Sequence, residues 1–172
     1  MAALNDIRWD HLEQVLIRYG EHFIQQARTN LGKNNSYASG KLGDTMKAHV
    51  EIEGDKFAVY VEIQTYWDYV EKGRRPGKFP PVNRIKEWIK VKPIRPYKDK
   101  RGKLPTTDQL AFLIGRKIKE KGIPARAFFK PAQEETEAFF KGAIDNAILY
   151  DIETYINEKV RTEYYKQLMG II

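Results

Sequence analysis

Apolar residues recur at Leu12, Leu16, Tyr19, Phe23, Ala27 and Leu31, three or four positions apart, the spacing that gathers one stripe on a helix. The pattern predicts a helix from about Asn5 to Leu31. "LGKNNSYASGKLGD", from Leu31 to Asp44, then concentrates Gly, Asn and Ser, which tolerate positive φ or bond their own backbone, and is expected to be a mobile loop. The period next falls to two. Met46, Ala48, Val50 and Ile52 alternate with polar neighbours, as do Phe57, Val59, Val61 and Ile63, with "EGDK" between them; this reads as an antiparallel hairpin with one buried face.

"YWDYVEKG", Tyr66 to Gly73, is short and aromatic and predicts a packed turn or a single helical turn, ended by its glycine. Pro80 and Pro81 stand at the entry of "VNRIKEWIKV", a second amphipathic helix whose first position tolerates proline because that N–H has no partner anyway. Lys92 to Thr107 carries three prolines, a "DKRG" turn and no core stripe, so it predicts an extended arm. Thr107 or Asp108 is expected to cap a helix over Leu110 to Lys121, ended by Gly122. Pro131 followed by Glu134, Glu135 and Glu137 marks the start of a last helix, since carboxylates favour the positive end of the helix dipole. Unbroken to Leu168, it would be about 55 Å long.

Together these elements predict an α+β fold: a small antiparallel β-sheet packed by the N-terminal helix, two middle helices and the base of a long C-terminal helix. The 172 residues suit one domain over 1–150, carrying a basic proline-rich arm at 92–107, with 151–172 as a helical extension. Past Tyr150 little of that domain remains to cover the apolar face. Ile152, Tyr155, Ile156, Val160, Tyr164 and Leu168 are therefore expected to form an exposed stripe that meets another subunit or a partner.

Composition adds that the chain is electrically divided. From Lys72 to Lys130 there are 19 Lys+Arg against 4 Asp+Glu, net +15, leaving 11 against 19, net −8. Such a split serves either a nucleic-acid face or complementary patches between protein copies. Arg95, Tyr97, Lys98, Lys100, Arg101 and Lys103 on the arm are candidates for contact with DNA or a partner, through phosphate pairing and base stacking. No helix-turn-helix, zinc-finger or RNA-recognition signature accompanies them, so sequence-specific reading is not expected.

Cysteine is absent, which excludes disulfides, thiolate nucleophiles and Cys-ligated metal. "MAALNDIRWD" has no basic stretch leading into an apolar one, and no segment has the roughly 18 apolar residues of a membrane span; neither a signal peptide nor a membrane partner is expected. His11 and His22 are about 16 Å apart along the predicted helix, too far to share a metal. Ser36 and Ser39 have no histidine in sequence reach, and His49 points at nothing identifiable. Asp55 with "VEIQ", Val61 to Gln64, loosely echoes the acid pattern by which some nucleases hold magnesium, but Gln64 stands where a lysine is needed. A magnesium nuclease using Asp55 and Glu62 stays as a minor alternative. No catalytic, metal or cofactor site is assigned.

From Ser36 onward the order of pieces "SYASGKLGDTM", "YWDYVEKGRRPGKFPP", "RIKEWI" and "LAFLIGRKIKEKGIPARAFFKPA", with the long terminal helix, resembles the neck or tail-completion family of tailed bacteriophages, which includes head–tail joining proteins of lambda-like phages. The Lys/Ile/Tyr-rich flavour suits a phage of the crAss-like kind. The resemblance covers roughly 36 to 145; the longer basic arm and the run into "RTEYYKQLMGII" depart from the common pattern. It implies a structural, non-enzymatic virion protein made in the host bacterial cytoplasm. Six or twelve copies would form a ring in the neck, joining the portal or adaptor ring to tail-side proteins around the channel that passes genomic DNA. It further implies that Glu71, Arg74 and Arg75 lie at a subunit boundary and serve ring closure. A non-specific nucleic-acid-binding protein using the basic arm is the alternative.

Overall fold

A computed structural model describes residues 6–34, 36, 40–54, 56–92, 94, 96–98 and 100–169. Along the chain run α1 (Asp10–Lys33), α2 (Lys41–Asp44), β1 (Lys47–Glu53), β2 (Lys56–Glu62), α3 (Trp67–Glu71), α4 (Val82–Val91), α5 (Thr107–Lys121) and α6 (Phe129–Leu168). The architecture is α+β, as the periodicities require. Contacts group these elements into two compact units: Met1–Gln26, Lys47–Glu62 and Ala132–Ile172 form one, Ala27–Met46 and Ile63–Pro131 the other. The sequence boundary at residue 150 does not separate them, since α6 runs through it unbroken within the first unit.

In the first unit β1 and β2 pair antiparallel, Lys47 opposite Glu62 and Glu53 opposite Lys56. A two-stranded sheet is marginal alone. Its inner residues Val50, Ile52, Phe57 and Val59 pack against a core of Trp9, Leu12, Leu16 and Ala147, joined by Ile144, Ile148 and Ile152 of α6. Trp9 meets Phe57 edge-on at 5.0 Å and donates its indole N–H to the Gly54 carbonyl at 3.2 Å. Gly20 lets α1 lie close on the sheet, because a Cβ there would stand 2.7 Å from that of Ala48. His22 accepts or donates at 3.1 Å to the buried Thr136 hydroxyl and stacks on Phe139 at 5.0 Å.

The start of α1 is fixed from far along the chain. Asp151, 3% exposed, accepts from the N–H groups of His11 and Leu12 at 3.2 and 3.0 Å and meets His11 Nδ1 at 2.8 Å. Two of the four N–H groups that a helix leaves unpaired at its start are thereby satisfied, and α1 begins at Asp10 rather than near Asn5.

In the second unit α4 and α5 pack on each other, Gly115 giving way to Phe79 and Ile85. α5 is capped by Thr106, not by Thr107 or Asp108. Thr106 Oγ1 accepts from Gln109 N at 3.3 Å while Gln109 Oε1 accepts from Thr106 N at 2.9 Å, a complete capping box. Pro81 is the residue before α4 rather than its first. The loop expected between Leu31 and Asp44 contains the short α2, with Leu42 and Gly43 buried; residues 35 and 37–39 of it, Ser39 included, lie outside the described residues.

Candidate interaction surfaces

Glu71 ends α3 and begins α6. Its carboxylate accepts from the backbone N–H groups of Phe128, Phe129 and Lys130 at 2.7, 2.8 and 3.1 Å. A negative charge here satisfies unpaired donors and sits at the positive end of the dipole, which is why α6 starts two residues before Pro131. The sequence expectation gave Glu71 to ring closure with Arg74 and Arg75; the structure commits both its oxygens inside the second unit.

Gly73 follows with φ 72°, a conformation that costs a residue with a Cβ, and any Cβ would collide with the backbone of 123–125. The tight turn lets Arg74 exchange two backbone hydrogen bonds with Ile123, at 2.9 and 2.8 Å. Gly122, at φ 74°, ends α5 on the other side of that bridge. Arg74 then sends Nη2 to the Lys78 carbonyl at 2.9 Å, and Arg75 is exposed.

This turn forms one wall of a groove of about 540 Å³ lined by Tyr69, Val70, Ile85, Trp88, Ile118 and Ile123. An adjoining depression of about 820 Å³ shares Tyr66, Tyr69, Val70, Arg84 and Trp88 with it and reaches Val91. Tyr69 is 66% exposed and Trp88 40%, so an apolar floor is open to solvent. Burial of the Tyr66 ring raises its phenol above the ordinary tyrosine range. Arg74, Arg84, Lys92 and Arg126 stand around the groove. The one carboxylate among the described lining residues is Glu87, 3.5 Å from Arg84.

The second surface is on α6. Ile152, placed by the sequence on the exposed stripe, packs against the core, and Tyr155 is half-buried with Lys159 over its ring at 5.3 Å. Of the expected stripe, Ile156 is 52% exposed and Val160 63%, with Tyr164 and Leu168 exposed as well, and Leu149 before them is open too. At about 100° per residue, Leu149, Ile156, Val160 and Tyr164 fall within roughly 80° of one another, opposite the side that carries Ala147 and Asp151. Asp145, Glu153 and Glu163 share this outward sector, which holds no Lys or Arg between 142 and 167. The helix is apolar on two opposed sides, and the domain uses one.

On the arm, Tyr97 is 95% exposed and Lys98, Lys100, Arg101 and Lys103 are exposed with it. Arg95 lies outside the described residues, as does Asp55 of the nuclease alternative; Glu62 is exposed at the end of β2. No helix among the described residues is long and apolar enough to cross a membrane. No family model, curated protein or solved structure matches the chain.

Proposed function

We propose that this chain is a structural virion protein of a tailed phage, assembling as a ring in the neck or tail connector and joining portal-side to tail-side components around the DNA channel. The observation that carries it is the outward apolar side of α6, from Leu149 to Tyr164, exposed over several residues at interface spacing. An apolar face of this length on a soluble domain marks a protein contact. The family resemblance over 36 to 145 supplies the kind of assembly. The division of charge along the chain favours subunits that meet through unlike surfaces, the arrangement that closes into rings. Arg74 at the wall of the groove and the exposed Arg75 next to it keep a place in this reading, whereas Glu71 serves the fold.

Native mass spectrometry of the purified chain, alone and with the portal or adaptor protein, tests the reading. A discrete species of six or twelve copies is expected, and antibody labelling is expected at the neck of the virion. A chain that stays monomeric with and without those proteins, and is missing from virions, overturns it. The exposed Tyr97 among lysines supports a second reading, sequence-independent nucleic-acid binding. That reading requires single-stranded DNA to bind with a steep salt dependence that disappears on Tyr97→Ala with Lys98→Ala and Lys100→Ala.

A further inference from the structure

The chain has two open apolar surfaces of opposite charge. The groove in the second unit is surrounded by four cations with one carboxylate; the outward side of α6 carries Asp145, Glu153 and Glu163, the last paired at 3.1 Å with Lys166 from the flank of the helix. We infer that they are two halves of one contact: the outward side of α6 in one copy docks in the arginine-rimmed groove of the next. The contact rests on the ring reading above and names the surfaces that would build it.

Three observations select this occupant. Leu149, Ile156 and Val160 repeat at the seven- and four-residue spacing by which an amphipathic helix sets anchors into an apolar groove. Docking sets the acidic outward side of α6, with Asp145 and Glu153 on it, against the cations around the groove, Arg74 and Arg84 among them, where opposite charge steers encounter and fixes register. Pairing like with like fails on the same charges, since two α6 outward sides would oppose acid to acid and two grooves cation to cation. The contact is therefore head-to-tail, and each copy keeps one unused half for its next neighbour.

The test uses two full-length variants. One carries Ile156→Glu and Val160→Glu, the other Tyr69→Glu and Arg84→Glu; all four positions are exposed, and circular dichroism with thermal melting checks that both fold. Sedimentation velocity of the wild type is expected to show species larger than a dimer. Each variant alone is expected to be monomeric at those concentrations, with self-association weakened at least about tenfold. Mixed in equal amounts, the two are expected to form a 1:1 dimer and stop, because one intact groove meets one intact helix. Raising salt should dissolve that dimer, as screening shortens charge attraction. Should wild type assemble while the variants assemble equally well, or should folded variants fail to pair on mixing, this contact is overturned and the ring reading stands. A wild type that remains monomeric at every concentration, with no pairing of the variants, also overturns this contact; the ring reading falls with it only when the chain stays monomeric beside the portal or adaptor protein too and is missing from virions.

Discussion

Two carboxylates set the ends of the two longest helices, and neither cap is local. Glu71 serves three amides of residues 128–130, so Glu71→Ala should lower the unfolding free energy by about 2 kcal/mol, the loss of a helix cap plus unpaired donors. Glu71→Gln keeps an acceptor oxygen and should lose about half as much. Urea denaturation measures both, and equal stability of all three proteins would deny the capping role. Nothing in the sequence marks these partners, because 57 to 59 residues separate Glu71 from its amides and 139 or 140 separate Asp151 from its own. The cap of α5 was expected one or two residues too late, at Thr107 or Asp108, although Thr106 and Gln109 stand at the spacing of a capping box. Glu71 read as a charge on the surface; its neighbours in space, not in sequence, turned it inward.

Among elements, α1 and the hairpin were legible because their periods are clean, 3.6 and 2, and only the borders moved. What the pattern of α6 could not disclose was that it is apolar on two sides, so the stripe assigned to contact began with Ile152, a residue of the core. The distinction has a test. A chain ending at Tyr150 loses Asp151 and Ile152 and should be destabilised by several kcal/mol, as a buried charged partner and core contacts go together. One ending at Glu158 keeps them and should melt within a few degrees of the full chain while failing to assemble. Similar melting of the two truncations would show that Asp151 does not hold α1. Gly20→Ala probes the helix–sheet approach. Helix propensity favours alanine by about 1 kcal/mol, but the contact with the Ala48 Cβ should reverse the sign, giving a lower melting temperature.

For the whole molecule, the charge division seen in composition marks out the cationic groove, although its apolar floor is assembled from α3, α4, α5 and the turn after α5, which no single stretch displays. The arm answers to a separate measurement. Tyr97 touches little, so deleting Tyr97 to Lys103 should change stability by no more than about 0.5 kcal/mol while reducing incorporation into virions. A larger loss in chemical denaturation would mean that the arm contributes to its own fold.

The bond from Asp151 to the first turn of α1 also bears on synthesis. A ribosome adding roughly 5–20 residues per second needs about 7–28 s to travel the 140 positions from His11 to Asp151. Throughout that interval the emerging amino-terminal segment has neither its cap nor the Ala147 side of its core, and Leu12 and Leu16 remain open to any passing chaperone. Nascent chains halted before residue 147 should therefore stay protease-sensitive at residues 10–26, and those released beyond Tyr155 should become resistant together with the hairpin.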